Sequence, residues 1–205
     1  TYFPNCNGKT YLRPSAINIS DVEFTYSISD LYKNAIVFGD SYISLADNKK
    51  WPYHMMRAGF DKFALCGFGG AQTQHSIQSF KEIITRQVPR FVVWAIGMND
   101  ADEANAVNAS WMQGVEEVRL WCETNDRTLI LCTIPNVPNI SHIYKNEYVK
   151  NSGLRYIDFA KAVNAEQKEA TWYSGMLDSD NVHPTDKGAK ALFYRILLDF
   201  PEIVA

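Results

Sequence analysis

The sequence has 205 residues, enough for one domain with a sizeable buried core. Its 46% hydrophobic and 21% charged residues exclude a disordered chain, a coiled coil and a collagen-like repeat. With 20 basic against 23 acidic side chains, net charge −3, it lacks the basic footprint of a nucleic-acid binder.

The best apolar run, Phe91 to Met98, is eight residues long, whereas a bilayer span needs about 20. The sequence begins at Thr1, and its first residues do not have the pattern expected of a signal peptide. The compartment stays open, with a secreted or periplasmic setting favoured over a cytoplasmic one. Cys6, Cys66, Cys122 and Cys132 form no Cys-x-x-Cys pair, and three of them lie in apolar segments. Buried free thiols are the expectation.

In chain order, residues 1–34 come first. Tyr11 to Arg13, Ile17 to Ile19 and Val22 to Tyr26 resemble short alternating strands. They suggest a β-rich arm, a linker or the end of a preceding domain. From Ala35 the pattern changes. Apolar runs at Ala35–Phe38, Lys62–Cys66, Phe91–Ile96, Thr128–Thr133 and Arg155–Phe159 are nearly continuous, as in strands buried on both faces. Helical stripes separate them: Ile77, Phe80, Ile84 and Val88; then Trp111, Val115, Val118 and Cys122; then Ala189, Leu192, Phe193 and Ile196. Strand–helix alternation predicts a parallel sheet with helices on both faces, in an α/β domain spanning 35–205.

In such sheets ligands bind beyond the carboxyl ends of the strands, so the residues following each strand carry the chemistry. After the first strand stands Gly39-Asp40-Ser41. After the second stands Gly67-Phe-Gly69-Gly70-Ala, and after the third Gly97-Met-Asn99-Asp100. Asp180-Asn-Val-His183-Pro opens the last helix. A serine becomes a strong nucleophile when a base takes its proton, and His183 suits that task near neutral pH. Asp180, three residues earlier, is spaced to hold one ring nitrogen while the other faces the serine. The N–H groups of Ser41 and Gly70 and the amide of Asn99 are candidate donors to an oxyanion. Each block alone reads equally as a capped turn or a loop. The four in this order, three of them right after strands, point to acyl transfer.

This order of blocks resembles the GDSL/SGNH hydrolases, and the resemblance covers everything from Ala35 onward. It implies a flavodoxin-like three-layer α/β/α sandwich with a five-stranded parallel sheet. It also implies metal-independent hydrolysis of esters or thioesters without a cofactor. By motif, Ser41 is the expected nucleophile, His183 the base and Asp180 its orienting acid. Ser41, Gly70 and Asn99 form the expected oxyanion hole, with Gly69 the alternative to Gly70. Tyr42 stands where the family name has Leu, a variable position.

Short acyl esters are the first expected substrates, O-acetyl groups on carbohydrate among them. Lipids and acyl thioesters come second, and a non-catalytic carbohydrate- or partner-binding module is the reading from another class. Trp172 and Tyr173, just before Asp180, are candidate sugar contacts, whereas Trp94 and Trp111 read as core. His54 and His75 fall on helices, and His142 follows the fourth strand within reach of the site. Asp100, Asp102 and Glu103 read as an acidic helix start rather than a metal site. Asn18, Asn108 and Asn139 head glycosylation sequons, which are common by chance. The oligomeric state is left open.

Overall fold

A computed structural model describes residues 34–43, 48–60, 62–84, 89–166 and 169–204. Nearly all of the expected arm over 1–34, with Cys6 and Asn18, lies outside the described residues, as does Val88.

All five expected strands form: β1 (Ala35–Gly39), β2 (Phe63–Gly67), β3 (Phe91–Ala95), β4 (Thr128–Cys132) and β5 (Arg155–Ile157). They pair in parallel in the order β2-β1-β3-β4-β5. The helices are α1 (Trp51–Arg57), α2 (Thr73–Ile84), α3 (Ala109–Thr124), α4 (Ile143–Asn151), α5 (Phe159–Val163) and α6 (Asp186–Asp199). A 3₁₀ turn, Pro201–Val204, follows. β5 is shorter than the run that announced it, because Asp158 turns the chain. Its carboxylate accepts the Lys161 N–H at 3.2 Å and caps α5.

The strands lack polar alternation because both faces are covered. Ala35, Val37, Leu65, Val93 and Ile130 face a core shared with Trp51 and Met55 of α1, Phe159 of α5 and Leu192 and Ile196 of α6. Ile36, Phe38, Ala64, Val92, Trp94 and Leu131 face a second core with Phe80 of α2, Trp111, Val115 and Val118 of α3 and Val149 of α4. This is a three-layer sandwich. The α3 and α6 stripes are buried as expected, and Trp94 and Trp111 are core residues. Cys66, Cys122 and Cys132 are buried free thiols. Burial pushes the thiols of Cys66 and Cys122 up to about 12. Among the described residues, no helix is long and apolar enough to cross a membrane.

The strand order places β1 beside β3, and the chain leaves them toward opposite faces. From β1 it enters α1 on the first face, and from β3 it enters α3 on the second. The crevice between these diverging connections is the switch point at which open α/β sheets bind ligands.

Candidate active site

The first site segment grows from β1. Ile43 N–H donates to Asp40 O at 3.1 Å, so Asp40 to Ile43 form a tight turn with Ser41 near its apex. The Asp40 side chain points inward and is 2% exposed. Its Oδ1 accepts Tyr42 N–H at 3.1 Å, and its Oδ2 accepts Met98 N–H, beyond β3, at 3.3 Å. One carboxylate thus ties the two turns of the switch point together. Burial pushes its pKa up to about 6, against the pull of those two N–H groups.

The second segment comes from the far end of the chain. His183 Nε2 lies 2.7 Å from Ser41 Oγ, although the two residues are 142 positions apart. His183 Nδ1 lies 2.7 Å from Asp180 Oδ2. The other oxygen of Asp180 accepts the N–H groups of Val182 and His183, each at 2.9 Å. Burial pushes the Asp180 carboxyl up, but these N–H bonds and the His183 ring outweigh it and hold the pKa at about 2. An ionised carboxylate can only accept, so it selects the Nδ1–H tautomer and turns the Nε2 lone pair toward the serine O–H. The loop itself is tied down. Asp178 N–H donates to His183 O at 2.8 Å, and Lys49 Nζ pairs with the Asp178 carboxylate at 2.6 Å.

The third and fourth segments follow β2 and β3. Ala71 N–H donates to Phe68 O at 3.1 Å, closing a turn over Gly69 and Gly70. Gly70 takes φ +78° there, which a residue with a Cβ rarely adopts; Gly69 has no positive φ. Asn99 Nδ2 donates one hydrogen to Ala71 O at 3.0 Å, and Gln72 Nε2 donates to Asn99 O at 3.2 Å. An amide nitrogen carries two hydrogens, so Asn99 keeps one to offer a ligand. Asp100 anchors the same turn to α2. Its carboxylate accepts Thr73 N–H at 3.0 Å and Thr73 O–H at 2.9 Å.

No protein-family model and no curated protein matches the sequence. Solved structures do match. A protein described as lipolytic, of the G-D-S-L family, from Desulfitobacterium hafniense superposes with TM-score 0.65 at 16% identity, covering 80% of this chain and 97% of that one. The fold is that of the GDSL/SGNH hydrolases. A GDSL-like lipase from Bacteroides thetaiotaomicron superposes with TM-score 0.58 at 18% identity, covering 83% and 88%. A mutant of an acetyl-xylooligosaccharide esterase from Geobacillus gives TM-score 0.57 at 17% identity, covering 82% and 93%.

On this SGNH fold, Ser41, His183 and Asp180 meet in one hydrogen-bonded row, with Gly70 and Asn99 on the neighbouring strand-end turns. Other expectations change. Trp172 is buried, and its Nε1–H donates to Asn136 O at 2.7 Å, so it is a packing residue rather than a sugar platform. Tyr173 beside it is 46% exposed. His142, expected within reach of the site, is turned into the interior. It is fully buried, and burial, aided by the Lys145 charge, pushes its pKa down to about 3. His54 Nε2 lies 2.7 Å from Asn48 O, and His75 Nδ1 accepts Gln72 N–H at 3.1 Å.

The acidic cluster after Asn99 divides. Glu103 accepts Ala109 N–H at 3.2 Å and does start α3. Asp102 instead accepts Tyr144 N–H at 2.9 Å, at the start of α4, and pairs with buried Lys145 Nζ at 2.8 Å. Lys145 also donates to Asp100 O. It therefore fixes the backbone next to Asn99, a role that a lone lysine in the sequence gave no sign of.

Proposed function

We propose that this protein is a serine ester hydrolase acting on short acyl esters, with O-acetyl groups on carbohydrate as the first substrates. The observation that carries the reading is the continuous row from Ser41 Oγ through His183 to the ionised Asp180, 2.7 Å at each step.

Ser41 Oγ attacks the ester carbonyl carbon as its proton passes to His183 Nε2. Asp180 stabilises the imidazolium and keeps its orientation. The oxyanion is held by the N–H groups of Ser41 and Gly70 and the second amide hydrogen of Asn99. Such donors count for most in the transition state, where the charge develops. The intermediate collapses as His183 returns the proton to the departing alcohol, leaving an acyl-enzyme on Ser41. Water then attacks with His183 again as base, releasing the acid and restoring the serine. Every step moves protons only among these groups, the departing alcohol and water.

The substrate reading rests on the segments around the site. Residues 171–182, which lead to the base, are polar apart from aromatic and scattered apolar positions, and they present Tyr173 to solvent. A flat exposed ring suits a sugar face better than a long alkyl chain.

A fluorophosphonate is expected to label Ser41, and Ser41→Ala is expected to abolish both labelling and turnover while the fold persists. Labelling at another residue with full activity retained refutes the assignment. On a p-nitrophenyl ester series, kcat/KM is expected to fall from acetyl to octanoyl. A rise with chain length replaces the short-acyl reading with a lipase or thioesterase.

A further inference from the structure

The residue after the nucleophile connects both halves of the site. Tyr42 is 7% exposed, and its O–H donates to Val182 O, the carbonyl directly before the base. Its ring centroid lies 5.9 Å from that of His183, at an interplanar angle of 40°. Its own N–H donates to Asp40 Oδ1, so the residue is fixed at both ends. Burial, with the charges of Asp40 and Asp180 adding to it, holds the phenol well above its ordinary pKa, so it remains a donor at every working pH.

Among the described residues, the other ties on the base loop act at other points. The bonds from Asp178 and Asp180 to Val182 and His183 are internal to the loop. They set its shape, while Tyr173 N–H to Val163 O at 2.8 Å and the start of α6 at Asp186 anchor its ends. Lys49 pulls on Asp178, at the outer end, through an exposed ion pair of the kind that contributes little. Tyr42 bonds the peptide that carries the imidazole, and it does so from the residue adjoining Ser41.

We propose that Tyr42 is a positioning residue that holds the base loop at hydrogen-bonding distance from the nucleophile. This rests on the assignment of Ser41 and His183 made above. A hydroxyl on a rigid aromatic ring sets a fixed length between the two backbones, and a small misplacement of a base is costly in rate. Leu, the residue of the motif's name, would fill the volume but offer no donor.

Tyr42→Phe removes one oxygen and keeps the ring. Its kcat on p-nitrophenyl acetate is expected to fall about fivefold to tenfold with KM within twofold, the scale of one lost buried hydrogen bond. Tyr42→Leu is expected to lose at least as much. A purely structural role would lower the thermal midpoint without this split between kcat and KM. A second readout needs no turnover. The downfield proton resonance of His183 Nδ1–H in the bond to Asp180 is expected in the wild type. It is expected to broaden or vanish in Tyr42→Phe, as the loop moves and the proton exchanges with water. Unchanged kcat together with an unchanged resonance overturns the proposal. A wild type inactive on all esters removes the hydrolase reading, and the resonance alone then decides for or against Tyr42.

Discussion

Replacing Asp40 by Asn tests whether the carboxylate beneath the nucleophile is as dry as its surroundings indicate. Burial lifts its pKa from 3.8 to about 6 despite two N–H donors. Well below pH 4, folded and unfolded chains both hold the proton. Between pH 4 and 6 the folded chain keeps a proton that the unfolded chain has lost, so stability from this group falls as pH rises. Above pH 6 the full penalty is present, about 3 kcal/mol at about 1.4 kcal/mol per pKa unit. Asparagine has no charge to desolvate. It satisfies only one of the two N–H groups, at a cost of about 1–3 kcal/mol that does not vary with pH. The stability of Asp40→Asn relative to wild type is therefore expected to improve by about 2–3 kcal/mol between pH 4 and pH 7. Urea unfolding at pH 4, 5, 6 and 7 measures it, and taking the difference cancels the other carboxylates. A difference that does not change with pH refutes the reasoning.

Asn99→Ala is expected to lower kcat by about 10²–10³ with little change in KM, because an oxyanion donor acts mainly in the transition state; a loss in KM alone excludes that role. Lys145→Met leaves Asp102 charged in the interior and is expected to cost about 3–5 kcal/mol in urea unfolding. Adding Asp102→Asn is expected to return part of that loss. Gly97→Ala forces a side chain onto φ +136° with its Cβ 2.4 Å from Ile134 Cδ1. Strain and overpacking together are expected to cost about 2–5 kcal/mol, read as a lower urea midpoint.

The sheet was legible because β1, β2 and β3 are apolar at nearly every position and β4 after its first residue, a pattern that burial on both faces requires. Three of the four site segments were legible because they follow strands, where such sheets place chemistry; the fourth stood out at the opening of the last helix. α4 had no apolar stripe to find. Its buried face is Lys145, Asn146 and Val149, with the two polar members satisfied from loops distant in sequence. Asn146 bonds both N–H and C=O of Ile134, at 2.7 and 2.8 Å, so a polar side chain does the work of a packed one. Trp172 and Tyr173 are neighbours of the same kind, and local sequence cannot say which is inside. That is decided by the carbonyl of Asn136, 36 positions away, which takes the Trp172 indole hydrogen. Tyr42 was visible only as a departure from a motif. Its partner is a backbone carbonyl, which no residue pattern reveals.

Ser41 and His183, the proposed nucleophile and base, stand 142 positions apart, and His183 arrives on the segment that leads into α6. α6 packs in the same core as α1 and the underside of β1. During synthesis, Ser41, Gly70 and Asn99 leave the ribosome long before His183. On the proposed mechanism, the nascent chain stays chemically silent until its last helix docks. Hydrolysis then serves as a clock for the final event of folding, and reaction at Ser41 during refolding times the closing of the core rather than the formation of the sheet.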